Sequence, residues 1–423
     1  MKLAVAGTGY VGLVTAVCLA ERGHHVTCVD VDQRKIDIMK SGKSPIYEQD
    51  LEELMNKNKD RITYTTDYAN AYKDAEVIFI GVGTPEQEDG SANLTYVRTV
   101  AKQIAHTIER DCVVVVKSTV PIGTNDEVEA YIHDNLAHQV KVYVASNPEF
   151  LAQGTAVRDT LHASRIVIGT ECEEAREILA KVYEPFHLPM VFTNRRSAEM
   201  IKYASNDFLA LKISYMNDIA NFCELVGANI DDVKLGMSYD ARIGDKFLNA
   251  GIGYGGSCFP KDTKALYYLA KNQYGYEMKT IKAAIDVNIM QKTKLFFRAK
   301  KMIGRFDGVH VALLGLTFKP GTDDLREAPS FEMIKLLLKD GAIIHAYDPV
   351  GMNNMKRFYP TELQYFETPE EAVNGCDIVF ALTEWKEIRE MNKDCLKGKK
   401  VFDGRNCLDG IRDICEYYPI GKK

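Results

Sequence analysis

The segment Gly7-Thr8-Gly9-Tyr10-Val11-Gly12 constrains this chain more than any other feature. It follows an apolar run at residues 3–6 and opens an apolar stretch at 13–21. Gly23 interrupts that stretch, and a second run at 26–29 leads to Asp30, 18 residues beyond Gly12. A GxGxxG is weak evidence alone, but strand, glycine turn, helix, strand and acid at this spacing are what a dinucleotide-binding βαβ unit requires. Gly7 permits the tight turn, Gly9 lets backbone approach a pyrophosphate, and Gly12 lets helix and strand pack closely. The helix N-terminus offers free N–H groups and a positive dipole end. Asp30 accepts hydrogen bonds from ribose hydroxyls and repels a 2′-phosphate, which favours NAD over NADP. Tyr10 and Val11 lie within the turn. Lys35 joins the cofactor set by position, although a solvated helix face is its plainer reading.

The rest of the chain extends this pattern. Apolar β-branched runs recur at 77–80, 113–116, 142–144 and 166–168, separated by helical stretches, as in a parallel sheet buried on both faces. From Ser197 the texture changes. Ile201, Ala204, Phe208, Leu211, Tyr215, Ile219 and Phe222 recur at spacings of three and four, one face of a helix of about 30 residues and about 45 Å. Ser197 suits its N-cap, Glu199 its positive first turn and Gly227 its stop. Beyond residue 303 the strand–helix alternation returns at 309–314, 330–339, 343–347, 378–382 and 400–402. The expected fold is α/β: two Rossmann-like, doubly wound parallel-sheet domains joined by a helical middle domain with one long helix. Its segments are an NAD-binding domain at 1–195, a central helical and dimerisation domain at 196–300, and a second α/β domain at 301–423. At about 100–200 residues per domain, 423 residues accommodate three.

Composition narrows the function classes. With 53 basic and 59 acidic residues the net charge is -6, which gives no basic face for nucleic acid. No apolar run reaches the roughly 18 residues that a membrane span needs, and residues 1–7 are too short for a signal-peptide core. The ten cysteines form no CxxC pair, and several sit inside apolar runs, as in a reduced, cytoplasmic protein. The nine histidines show no metal-ligand spacing, so no metal is expected.

The segment Gly251-Ile252-Gly253-Tyr254-Gly255-Gly256-Ser257-Cys258-Phe259-Pro260-Lys261-Asp262 resembles the nucleophile loop of the UDP-glucose/GDP-mannose dehydrogenase family. Gly83-Thr84-Pro85, Ser118-Thr119-Val120-Pro121, Asn147-Pro148-Glu149-Phe150-Leu151, the Lys202/Asn206 pair, Gly315-Leu316-Thr317-Phe318-Lys319 and Asp403-Gly404-Arg405 resemble that family too, in its order, from residue 7 to residue 405. The resemblance implies oxidation of the primary alcohol of UDP-glucose to UDP-glucuronate by two NAD and one water.

The chemistry also follows from residue type. Two hydrides must leave in succession, and the aldehyde between them must not escape. A cysteine thiolate traps it as a thiohemiacetal, which loses the second hydride to become a thioester that water hydrolyses. Cys258, set among glycines and outside any apolar run, suits this role, since reactive thiols favour partly exposed, polar surroundings. The resemblance implies that Asp262 holds the hydrolytic water. Residue type alone reads Asp262 equally well as an acid at a helix start. Lys202 and Asn206, one helical turn apart, are implied to stabilise the reacting oxygen, whereas lysines on helices are mostly solvated. Thr119 and Glu149 are implied to manage water and protons. Thr84 and Arg326 belong by resemblance to the cofactor side.

For the substrate, the resemblance brings Arg242, Lys319 and Arg405 to the phosphates, with Arg242 reaching a neighbouring subunit's site. Phe150, Leu151, Phe247, Leu248, Tyr254, Gly255 and Phe318 line the uridine and sugar pocket, with Glu149, Lys202 and Asn206 at the sugar. Ordinary core packing is the competing reading for each aromatic. The long helix and Arg242 imply a homodimer. GDP-mannose and UDP-N-acetylhexosamines remain alternative substrates. A two-electron hydroxyacid or 6-phosphogluconate-type dehydrogenase shares a similar front half but needs no cysteine, and a non-enzymatic NAD-binding regulator has no use for Lys202, Asn206, Cys258 and Asp262.

Overall fold

The computed structural model describes residues 1–422, which form two compact units, residues 1–205 and 206 onward. In the first, strands β1 (Lys2–Ala6), β2 (His25–Val29), β3 (Ile62–Thr65), β4 (Val77–Ile80), β5 (Cys112–Val116), β6 (Val142–Ser146), β7 (Ile166–Gly169) and β8 (Met190–Thr193) form one sheet in the order β3-β2-β1-β4-β5-β6-β7-β8. The first six positions are the doubly wound order in which a dinucleotide crosses the β1/β4 switch point. The central strands β1, β4 and β5 are apolar along almost their whole length because helices cover both faces. Leu3, Val5, Phe79 and Val113 pack into one layer, and Ala4, Ile78, Ile80 and Val114 into the other.

The sheet departs from the parallel expectation at one place. β6 and β7 meet antiparallel, through Ser146 and Gly169 alone. The edge strand β3 carries threonines between its apolar residues, and β8 has a short apolar run, Met190 to Phe192, that is only partly buried.

In the second unit, β9 (His310–Leu314), β10 (Ile343–Tyr347), β11 (Leu363–Tyr365), β12 (Ile378–Ala381), β13 (Lys400–Asp403) and β14 (Glu416–Pro419) form a wholly parallel sheet, β11-β10-β9-β12-β13-β14. The order repeats the doubly wound pattern of the first sheet. The helices Phe259–Tyr274 and Lys279–Ile303 precede it. The expected domain at 301–423 ends at Lys423, which lies outside the described residues.

The long helix runs Arg195–Val226. Its cap differs from expectation: Asn194 Oδ1 accepts the Ser197 N–H at 2.7 Å, so Asn194 is the cap and Ser197 is already helical. Glu199 is buried and does not serve its own helix. Its carboxylate accepts the N–H groups of Gly123 and Asn125 and the Asn125 amide, at 2.6–2.8 Å, and so caps the helix Thr124–Asp134. The aromatic members of the apolar stripe face solvent. Phe208, Tyr215 and Phe222 are exposed, whereas Tyr203, Asn206, Asp207, Ala210, Ser214, Asn217 and Ala220 are buried. The spacing identified the helix, and a second, more polar face is the one that packs inward. No described helix is long and apolar enough to cross a membrane.

Candidate active site

In the first unit, Gly7 and Gly12 have different reasons to be glycine than Gly9. A Cβ on Gly12 would lie 2.0 Å from the Gly7 carbonyl oxygen, whereas one on Gly9 meets nothing within 4 Å. The helix Tyr10–Glu21 starts immediately after Gly9. Its first turn thus opens on the gap that a pyrophosphate needs. Asp30, at the end of β2, accepts the Thr8 N–H at 2.9 Å, the Thr8 hydroxyl at 2.6 Å and the Asp32 N–H at 3.0 Å. Burial pushes its carboxyl up, but these bonds and Lys35 outweigh burial and hold it below the ordinary range. Lys35 Nζ stands 3.6 Å from Asp30 and is partly exposed. These features fit a dinucleotide: an open glycine cradle, a helix N-terminus and an ionised acid. Tyr10 donates its hydroxyl to the Tyr47 carbonyl. Thr84 donates to the Thr119 carbonyl at 2.7 Å, which ties together the loops after β4 and β5. Val11 lies in the first turn of the glycine helix.

Beyond the carboxyl ends of β5 and β6 lies a buried cluster of charge. Lys202 Nζ stands 2.8 Å from Glu149 Oε1, and Glu149 Oε2 accepts the Leu151 N–H at 2.8 Å. Lys202 is only 3% exposed. Solvation, the usual fate of a helical lysine, therefore does not apply to it. Phe150 lies beneath the Arg165 guanidinium at 3.8 Å and 5.6 Å from Lys202 Nζ. Sequence reasoning missed Lys117, the residue before Ser118. It is buried at the end of β5 and donates to Asn147 Oδ1 at 3.0 Å. Burial pushes its ammonium down to about 8, with Glu149 opposing and Lys202 adding. Its position directly before a matched motif was the available signal.

In the second unit, Cys258 is the N-cap of the helix Phe259–Tyr274, so its thiol stands at the positive end of a helix dipole. It is partly exposed. Cys18 and Cys28, by contrast, are fully buried and pushed up to about 12 by that burial. Gly256 has φ +83°, and a Cβ there would meet the Phe318 ring at 2.8 Å. A Cβ on Gly255 would meet the Glu327 carbonyl at 2.5 Å. The glycines thus let the loop lie flat beneath Phe318 and bring Cys258 to the helix start.

Asp262, in the first turn of that helix, is buried. Its Oδ2 accepts the Asn206 amide at 2.7 Å and its Oδ1 lies 2.6 Å from Lys261 Nζ. Tyr254 and Phe247 pack on Phe259 with centroids 5.9 and 6.1 Å apart. Tyr254 is pushed up to about 12, by burial first. Leu248 belongs to the second unit's core. Arg405 donates to the carbonyls of Leu382 and Phe318, at 3.0 and 3.2 Å, which braces the Phe318 loop. Lys319 Nζ stands 5.7 Å from the Phe318 ring. Arg242 is 90% exposed along its side chain and forks onto Asp240, as Arg326 does onto Asp324.

The comparisons with known proteins converge. Residues 1–187 match the NAD binding domain of the UDP-glucose/GDP-mannose dehydrogenase family, residues 196–289 its central domain and residues 312–410 its UDP binding domain. The chain belongs to the UDP-glucose/GDP-mannose dehydrogenase family. The glycine cradle is accordingly in the family's NAD binding domain, and the second sheet carries its UDP binding domain. The UDP-glucose 6-dehydrogenase YwqF of Bacillus subtilis (strain 168) is 50% identical over 432 residues, covering 100% of this chain and 98% of that protein. A UDP-glucose 6-dehydrogenase of Pseudomonas aeruginosa is 45% identical, covering 96% and 93%. Among solved structures, a UDP-glucose dehydrogenase of Pyrobaculum islandicum superposes with a TM-score of 0.96 at 36% identity, covering 100% and 98%. A UDP-D-ManNAc dehydrogenase of Pyrococcus horikoshii gives 0.88 at 25%, covering 100% and 99%.

Proposed function

We propose that this chain catalyses UDP-glucose + 2 NAD⁺ + H₂O → UDP-glucuronate + 2 NADH + 3 H⁺. The reading is carried by Cys258, a partly exposed thiol at a helix N-cap in a glycine loop. Likeness over the full chain to UDP-glucose 6-dehydrogenases supports it.

Bound NAD accepts one hydride in each oxidation. The protein's residues do the rest. Glu149 takes the hydroxyl proton, directly or through a water beside Thr119, as its buried pairing with Lys202 suits. Lys202 and Asn206 stabilise the oxygen that becomes an alkoxide and later a thiohemiacetal. The Cys258 thiolate forms the C–S bond with the aldehyde carbon. After the second hydride leaves, water held by Asp262 attacks the thioester carbon, the C–S bond breaks, and sulfur departs as thiolate.

In the same proposal Tyr10, Val11, Asp30, Lys35, Thr84, Thr119 and Arg326 serve the cofactor. Lys319, Arg405 and a partner's copy of Arg242 serve the diphosphate, and Phe150, Leu151, Phe247, Leu248, Tyr254, Gly255 and Phe318 surround the uridine and sugar. The functional segments are 1–195, 196–300 and 301–423. The active form is a homodimer, which the exposed Phe208, Tyr215 and Phe222 favour, since such patches mark interfaces. Ten free thiols suit a cytoplasmic setting.

The test is substrate choice. With NAD and each of UDP-glucose, GDP-mannose and UDP-N-acetylmannosamine, kcat/KM is expected to be greatest for UDP-glucose, with UDP-glucuronate as product. A greater value for either rival transfers the reading to that sugar.

A further inference from the structure

Asp207 follows Asn206 on the long helix and is 1% exposed. Neither of its carboxyl oxygens has a hydrogen-bond partner among the described residues. An ionised carboxylate held that way in a protein interior is so unfavourable that the group takes up a proton instead. Its neighbour Asp262 is placed oppositely, with the Asn206 amide on one oxygen and the Lys261 ammonium near the other. Among the described residues, the charged and titratable groups that face Asp207 include Asp262 and Lys261 from the helix Phe259–Tyr274, and Tyr254 from the loop before it. Two carboxyls this near one another do not both ionise readily, so the one with donors keeps the charge. Burial first, and then the charge of Asp262, push Asp207 up to about 8, with Lys261 opposing.

We propose that Asp207 is a positioning residue for the hydrolytic half-reaction: its neutral carboxyl leaves Asp262 the single anion of the pair and so leaves Asp262 able to hold the attacking water. The proposal rests on the role given above to Asp262. Loss of the Asp207 proton sets a second negative charge beside the site where the tetrahedral oxyanion forms, and hydrolysis slows.

The experiment is a single turnover with UDP-glucose and excess NAD, quenched in acid. The decay of protein-bound thioester is followed from pH 6 to pH 10 in the full-length protein and in Asp207→Asn, whose amide is neutral throughout. Thioester decay in the unsubstituted protein is expected to fall above about pH 8, by roughly tenfold per pH unit. In Asp207→Asn the profile is expected to stay level over the same range. A purely structural role for Asp207 would lower the variant's stability and leave the falling limb in place, and that result overturns the proposal. Should Asp207→Asn fail to fold, the unsubstituted protein still decides, because a profile without the fall overturns it too. Asp262→Asn separates the two layers. Undiminished thioester decay in that variant removes the role of Asp262 itself, whereas slow decay together with a falling limb that persists in Asp207→Asn removes only the proposal for Asp207.

Discussion

The ammonium of Lys202 and the carboxylate of Glu149 lie 2.8 Å apart, and both side chains are nearly shut off from solvent. Removing one member of a buried pair strands the other charge, which costs about 3–5 kcal/mol. Glu149→Gln should therefore lower the melting temperature measured by calorimetry. It should also lower kcat by about 10²- to 10⁴-fold, the usual contribution of a positioned proton acceptor. A kcat within twofold of the original removes Glu149 from the proton chemistry.

Lys117 gives a pH signature of stability. Its folded pKa is lowered from 10.5 to about 8, so between those values the unfolded chain holds a proton that the folded protein has lost. The unfolded state then binds more protons, and stability from this group rises with pH across that window. Urea unfolding of the protein and of Lys117→Met should show a difference that grows by about 3 kcal/mol from pH 8 to pH 10.5. A difference independent of pH contradicts the assignment.

Gly256 tests the loop. With φ +83° and the Phe318 ring 2.8 Å from any added Cβ, Gly256→Ala must shift the backbone that presents Cys258. Misplacing a reacting group by about 1 Å costs on the order of 10²-fold in rate. A loss of kcat of that size is expected while NAD affinity, read by fluorescence titration, falls much less, because the glycine cradle belongs to the other unit and of the cofactor set only Arg326 is hydrogen-bonded to Gly256. Equal losses in both would place the damage in folding.

Tyr215 and Phe222, seven residues apart on the exposed stripe, test the assembly. If the proposed homodimer closes over this stripe, Tyr215→Glu/Phe222→Glu sets four like charges on its two-fold interface and should halve the mass found by light scattering. An unchanged mass moves the interface elsewhere.

Much of this was legible in the sequence, for reasons that differ from element to element. The βαβ unit could be read because close packing at Gly12 and the acid at Asp30 each demand a residue type at a fixed spacing. The central strands could be read because burial on both faces makes them continuously apolar. The edge strand β3 could not, since the threonines of a half-buried strand dilute that signal, and β8 offers only a three-residue apolar run before Thr193. The long helix was read from its aromatic stripe, which is exposed at Phe208, Tyr215 and Phe222. Its buried face runs through Tyr203, Asp207, Ala210, Ser214 and Asn217, also at spacings of four and three, but its polar residues hid it behind the aromatic stripe. Asp207 and Lys117 were missed for a related reason, as charge type alone argues for solvent. Only three-dimensional neighbours reveal that burial has changed what those groups do.

The covalent route through Cys258 is tested most directly by counting NADH per UDP-glucose consumed, in the protein and in Cys258→Ala. The account predicts two NADH and one UDP-glucuronate for the unsubstituted protein. For Cys258→Ala it predicts no net acid, with NAD binding retained. Two NADH per sugar at an undiminished rate from Cys258→Ala would contradict it.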